Sequence, residues 1–188
     1  MSWESSIKGF KSYLQIERSL SDNSVQAYIR DIKKFANYAI PLKLNELKIQ
    51  RESISDFLAE LKDDGIAARS QSRIISGIKA FYRYLIIEDY IKYNPTELIE
   101  SPKVGFKLPD TLSLIEIDKL ISAVDLSNKQ GERNRAILET LYSCGLRVSE
   151  LTNLKLSNIY FNEGYLKVIG KGDKERLAPI GGRALKYL

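Results

Sequence analysis

The chain has 188 residues, 44% of them hydrophobic and 28% charged, with a net charge of +5, a globular composition with room for one domain or two small ones. No apolar run approaches the roughly 20 residues of a membrane helix, the first residues lack the apolar core of a signal peptide, and a single cysteine, Cys144, excludes an internal disulfide and suits a reducing cytoplasm. There is no histidine, so the chain's own residues offer neither histidine ligation nor histidine acid–base chemistry.

Trp3, Ile7, Phe10 and Leu14 recur at helical spacing and predict a first helix over 3–17. Ser21-Asp22-Asn23-Ser24 offers N-caps to a second, with Val25, Tyr28, Ile29, Ile32, Phe35 and Ala36 on one stripe. Arg30, Lys33 and Lys34 lie off that stripe, and Pro41 stops the helix. A third helix carries Ile54, Phe57, Leu58 and Leu61 and closes near Gly65. The fourth and longest has Ile74, Ile75, Ile78, Phe81, Tyr82 and Leu85 on its apolar face and Arg69, Arg73, Lys79 and Arg83 for charge. Four amphipathic helices with short connections read as a bundle whose aromatic stripe is core. Asn94-Pro95, Ser101-Pro102 and Leu108-Pro109 then predict an extended connection. The expected division is a helical domain at 1–100, a linker at 101–112 and a mixed unit at 113–188.

Ser113-Leu114-Ile115-Glu116 is a capping box ahead of a helix expected to bury Ile117, Leu120, Ile121 and Val124. Another apolar run ends at Gly145, a residue suited to a left-handed helix stop, and Cys144 just before it reads as buried packing. Gly-Leu-Arg-Val-Ser-Glu-Leu, 145–151, opens a new helix that places Arg147 and Glu150 three apart on one face. An arginine at a helix start adds a forked donor to backbone N–H groups and suits a phosphate; alone, an Arg-x-x-Glu pair reads equally as a surface ion pair. Residues 164–180 predict two strands around a Gly- and Lys-rich turn. Gly164–Leu188 holds six basic residues against two acidic ones, which suits a polyanionic partner. Gly181-Gly182 precedes a short helical stub, 184–188.

The two motifs, Gly-Leu-Arg-Val-Ser-Glu-Leu and Val-Ile-Gly-Lys-Gly-Asp-Lys-Glu-Arg, in this order and at this separation, resemble the tyrosine site-specific recombinases, nearest to the Xer type. The resemblance implies a mainly α chain: a SAM-like four-helix core-binding domain that clasps duplex DNA, then part of an α+β catalytic domain with one β-hairpin. It implies DNA contacts from Arg30, Lys33, Arg69, Ser72, Arg73, Lys79 and Arg83, with support from Lys174 and Arg176 and from Lys103 and Lys107 in the linker. It also implies that Arg147 binds a non-bridging phosphate oxygen, that Glu150 orients the site and that Lys171 protonates the leaving 5′ oxygen. Read without the resemblance, the bundle cations are also solvated charges and Lys171 a turn lysine.

Such enzymes cut and rejoin DNA through a 3′-phosphotyrosyl link, with double-stranded DNA and further protomers in a tetrameric synapse as partners, and with no metal or other cofactor. Two departures stand out. Asn158 occupies a position where the family more often has Asp, and nothing here matches the family's later His-x-x-Arg segment or its nucleophile; none of the 11 tyrosines is in that place. The expectation is therefore the N-terminal two-thirds of a cytoplasmic, Xer-like dimer-resolving recombinase, inactive by itself. The alternatives are a mobile-element integrase and a non-catalytic DNA-binding protein on the same scaffold.

Overall fold

The structure, a computed structural model, describes residues 2–105, 108–170 and 172–188. The chain divides into two units, Met1–Lys107 and Leu108–Leu188.

The first unit is built from α1 (Trp3–Ile16), α2 (Asp22–Ala39), α3 (Arg51–Asp63) and α4 (Ala68–Ile87). Ser21 is the N-cap of α2, its hydroxyl 3.1 Å from that of Ser24. α2 ends two residues before Pro41, as expected of a residue whose ring excludes the preceding turn. The apolar stripes meet in one core, with Phe10, Ile32, Phe35, Ile74, Phe81 and Leu85 all at 0% exposure. Phe81 is its hub: it stacks on Trp3 at 6.0 Å and meets Phe10 edge-on at 5.4 Å. Edge and offset ring contacts of this kind add to plain burial. The indole of Trp3 donates to the Leu44 carbonyl at 3.0 Å, tying the loop after α2 to α1.

The second unit contains α5 (Leu114–Ser122), α6 (Gly131–Cys144), α7 (Val148–Thr152), a 3₁₀ turn (Leu156–Asn158), β1 (Ile159–Tyr160), β2 (Tyr165–Ile169), β3 (Glu175–Pro179) and α8 (Gly182–Tyr187). The capping box forms: the Ser113 N–H donates to Glu116 Oε2 at 2.8 Å, and the Glu116 N–H donates to Ser113 Oγ at 3.3 Å. The strands make an antiparallel sheet in the order β1-β2-β3, with Lys167 opposite Leu177 and Val168 opposite Arg176. Alternation along β2 sends Leu166 and Val168 into a small core with Leu146, Ala178, Ile180 and Ala184.

Two expectations are corrected here. The hairpin has a third strand, because the turn after Leu154 runs on into β1, whose Tyr160 stacks on its cross-strand partner Tyr165 at 4.5 Å. Of the four residues expected inside, three in α5 and Val124 just past its end, only Ile121 is buried, and Leu120 is 47% exposed. Ile117 and Val124 are half-buried, so the nine-residue helix packed on α6 covers only part of the stripe.

Truncating the hub removes a ring that nothing else can fill. Phe81→Ala is expected to destabilise the first unit by about 3–5 kcal/mol, read from the urea midpoint of the helical signal; a loss below about 1 kcal/mol would contradict the packing described.

Candidate functional site

In the second unit the site begins where α6 stops. Gly145 takes φ +57°, ψ 39° and turns the chain out of the helix; an L side chain there is strained. Leu146 buries itself in the small core, which pins the turn. Arg147 is then the N-cap of α7, with extended backbone angles, and does not lie within the helix as its spacing to Glu150 had implied. Glu150 reaches back to it. The Arg147 backbone N–H donates to Glu150 Oε2 at 2.8 Å, and Arg147 Nη1 donates to Oε1 at 2.8 Å.

The second partner of Glu150 comes from the sheet. Arg176 in β3 donates from Nη2 to Oε2 at 3.0 Å and from Nη1 to Oε1 at 3.3 Å, and its Nη2 lies 3.5 Å from the Gly145 carbonyl oxygen. Sequence reasoning had given Arg176 to DNA; the fold turns it onto the carboxylate. Gly170 closes the same side, since a Cβ there would lie 3.4 Å from Glu150 Oε1. The Glu150 side chain is 3% exposed while that of Arg147 is 72% exposed. The arrangement is thus a sealed anion holding two arginines, one aimed at solvent. One charge of the two stays uncompensated, and the exposed guanidinium keeps donors for a phosphate. The backbone N–H of Arg147, then its side chain and the charge of Arg176, hold the Glu150 carboxyl below the usual range against the opposing effect of burial.

Around this centre, Ser143 Oγ accepts from the Gly181 N–H at 2.7 Å and ties the start of α8 to the end of α6. Lys167 pairs with Glu175 at 2.8 Å across the hairpin. Cys144 is half-buried against the small core, and burial raises its thiol pKa. Lys174 is exposed near the turn. Lys171 and Lys107 lie outside the described residues. Among the described residues no group of three acidic or cysteine side chains converges to hold a metal ion, and no helix is long and apolar enough to cross a membrane.

In the first unit, Arg69, Ser72, Arg73, Lys79 and Arg83 fall within one arc of α4 at 3.6 residues per turn and form one face. That face spans about 21 Å from Arg69 to Arg83 at 1.5 Å per residue. A concavity of about 250 Å³ beside it is lined by Lys79, Arg83, Ser76, Tyr28 and Arg18. Arg18 was not anticipated, because nothing in its position past the last apolar residue of α1 signals a neighbour on α4. Lys33 is not brought to this face; it lines a separate groove with Lys8, Lys11 and Trp3 between α1 and α2. Arg30 is exposed on α2. Arg73 is held by Asp31, a buried carboxylate that sequence reasoning also missed. By contrast, α3 shows solvent Glu52, Asp56, Glu60 and Asp63.

Residues 7–89 match the family model for the phage integrase N-terminal SAM-like domain, and residues 111–188 match that for the phage integrase family. The chain is 41% identical over 186 residues to tyrosine recombinase XerD of Staphylococcus aureus, covering 98% of this chain and 63% of that protein. Against the protein of the same name from Staphylococcus haemolyticus the identity is 40% over the same span. The chain therefore spans 63% of the length of these curated relatives. Among solved structures, a lambda integrase dimer bound to a core site superposes with a TM-score of 0.76 at 23% identity, covering 98% of this chain and 63% of that one. The Tn1549 transposon integrase in complex with a circular intermediate DNA gives 0.72 at 14% identity, covering 97% and 63%. These two likenesses establish a shared fold.

The shared carboxylate makes a pH-dependent contribution. Because Glu150 is held below its ordinary value, its stabilisation is complete above the unfolded pKa of about 4.3 and is lost as pH falls through the folded one. Glu150→Gln is expected to lower the Tm of the second unit at neutral pH, with the deficit shrinking toward about pH 3. Thermal unfolding across that range checks this, and two parallel Tm curves would contradict it.

Proposed function

We propose, from the matches to the two phage integrase models and the 41% identity to tyrosine recombinase XerD, that the chain is the DNA-holding and phosphate-activating part of a site-specific recombinase of Xer type. The observation that carries the reading is the Arg147–Glu150–Arg176 cluster, built on the motif that marks the family. Its outward guanidinium is held before any substrate arrives, and a fixed donor acts on the charge that develops at a reacting phosphate without having to reorganise.

In the proposed reaction a tyrosine oxygen attacks the phosphorus of the scissile phosphodiester. The bond to the 5′ oxygen breaks, that oxygen takes a proton, and the strand remains linked through a 3′-phosphotyrosine. Arg147 is assigned to a non-bridging oxygen, Lys171 to the proton and Glu150 to positioning the arginine. The attacking tyrosine is assigned to none of the tyrosines of this chain. The first unit is assigned to duplex binding through Arg69, Ser72, Arg73, Lys79 and Arg83 of α4, with Arg30 and Lys33 of α2 as further contacts and Lys174 touching the backbone from the hairpin. Double-stranded DNA and further recombinase protomers are the proposed partners, and the cytoplasm the proposed location. The 41% identity to XerD across 98% of the chain favours dimer resolution over integration of a mobile element.

The chain is expected to bind a duplex of about 30 base pairs with strong salt dependence. If the four basic residues of the α4 face each neutralise one phosphate, log affinity falls against log salt with a slope of about −3 to −4. Fluorescence anisotropy at several salt concentrations measures it; no binding at low salt would contradict the reading. Incubation with a suicide duplex and a denaturing gel should show no covalent adduct from residues 1–188, and an adduct would overturn the assignment of the nucleophile.

A further inference from the structure

α2 carries one residue that its environment does not explain as packing. Asp31 sits on the apolar side of the helix, between Tyr28 and Phe35, and is 2% exposed. A carboxylate withdrawn from water is retained only against a partner. The partner is Arg73 of α4, whose Nη1 donates to both carboxylate oxygens. The Arg73 side chain is 46% exposed against 3% for that of Asp31, so the pair has a sealed end and an open one. Four residues beyond Arg73 lies Gly77, where an added Cβ would come within 2.8 Å of Asp31 Cβ. The two helices therefore cross closely at this point, and the glycine is what admits the aspartate. Among the described residues, the hydrogen bonds of Arg73 use Nη1 alone. Arg73 itself lies on the α4 face that also bears Arg69, Lys79 and Arg83, and nearly half of its side chain is open to solvent.

Resting on the DNA reading above, we propose that Asp31 is a positioning residue: it fixes the Arg73 guanidinium at the α2–α4 crossing so that its open edge meets a backbone phosphate of duplex DNA. A long exposed arginine samples many rotamers, and holding it in the bound geometry beforehand raises affinity by removing that ordering from the binding step. Charge alone gives the opposite expectation. Asp31 is an anion next to a phosphate site, so its neutralisation should strengthen binding to a polyanion. The two effects differ in sign, which makes the proposal decidable.

The test measures binding of the 188-residue chain to a random-sequence duplex of about 30 base pairs by anisotropy at several salt concentrations, with a thermal melt of each variant as folding control. Asp31→Asn is expected to weaken binding about three- to tenfold although it makes the chain more positive. Arg73→Lys keeps a cation for Asp31 but loses the fork, and is expected to weaken binding similarly and to reduce the salt slope by about 1, the loss of one phosphate contact. The double variant should be no weaker than Arg73→Lys alone. If Asp31→Asn fails to fold, Arg73→Lys decides by itself. Folded Asp31→Asn that binds as tightly as or more tightly than the unsubstituted chain overturns the proposal, as does an Arg73→Lys variant with unchanged affinity and slope. Absence of salt-dependent binding by the unsubstituted chain overturns the DNA reading and this assignment with it, whereas binding that survives both substitutions overturns the assignment alone.

Discussion

A carboxylate taken out of water needs a partner, and among the described residues three sites supply one as an arginine that stays partly in solvent. Asp31 holds Arg73, Glu150 holds Arg147 and Arg176, and Glu139 holds Arg183, the anion being 3–4% exposed at the side chain in each case and the arginine 40–72%. Glu46 provides the contrast: it is 1% exposed and accepts from the Ser6 hydroxyl. In the three arginine cases the sealed anion converts a mobile side chain into a fixed one with part of its guanidinium facing outward. A fixed guanidinium with unused donors is what a phosphate oxygen binds best. The fold thus fixes positive charge at four arginines, Arg73, Arg147, Arg176 and Arg183.

The same pairing ties distant parts of the chain together. Arg183 bridges α5 and α6 through Asp118 and Glu139, so the last helix is fastened to the helix that leads into the Arg147 turn. Arg176 fastens the sheet to that turn from the other side. A displacement of β3 therefore acts on Glu150, and through it on Arg147. The strand that follows the Gly- and Lys-rich turn is linked to the arginine by this route, which joins the two sequence motifs at one carboxylate. In the first unit α3 carries four exposed carboxylates against Arg51 and Lys62, while the charged residues of α4 are all basic, and such a bias orients a protein on a polyanion before any contact forms.

Much of this was legible in the sequence because it depends on local periodicity. The four apolar stripes, the capping box at Ser113, the glycine stop at Gly145 and the alternation of β2 each follow from residues within a turn or two of one another. What escaped was non-local. Arg176 sits in a basic stretch, and nothing in its spacing says that it will turn onto a glutamate 26 positions earlier. Asp31 went unread, because the partner that explains a carboxylate at the edge of an apolar stripe lies 42 positions away. β1 has two residues, too few for any period to register. The exposed half of α5 failed for the converse reason: an apolar stripe states what a helix can bury, and only the packing decides what it does bury. Lys171, the residue on which the proton transfer is placed, rests on its motif alone.

In the proposed complex the arginine-bearing face of α4 and the Arg147 turn meet DNA and α3 does not. The most direct test follows backbone amides and arginine Nε–H groups of the ¹⁵N-labelled chain by NMR as duplex DNA is added. Signals from Arg69, Arg73, Arg83 and Arg147 are expected to move or broaden together, and those of Glu52, Asp56 and Glu60 on α3 to stay where they are. Perturbations centred on α3, or an α4 face unchanged at saturating DNA, would contradict it.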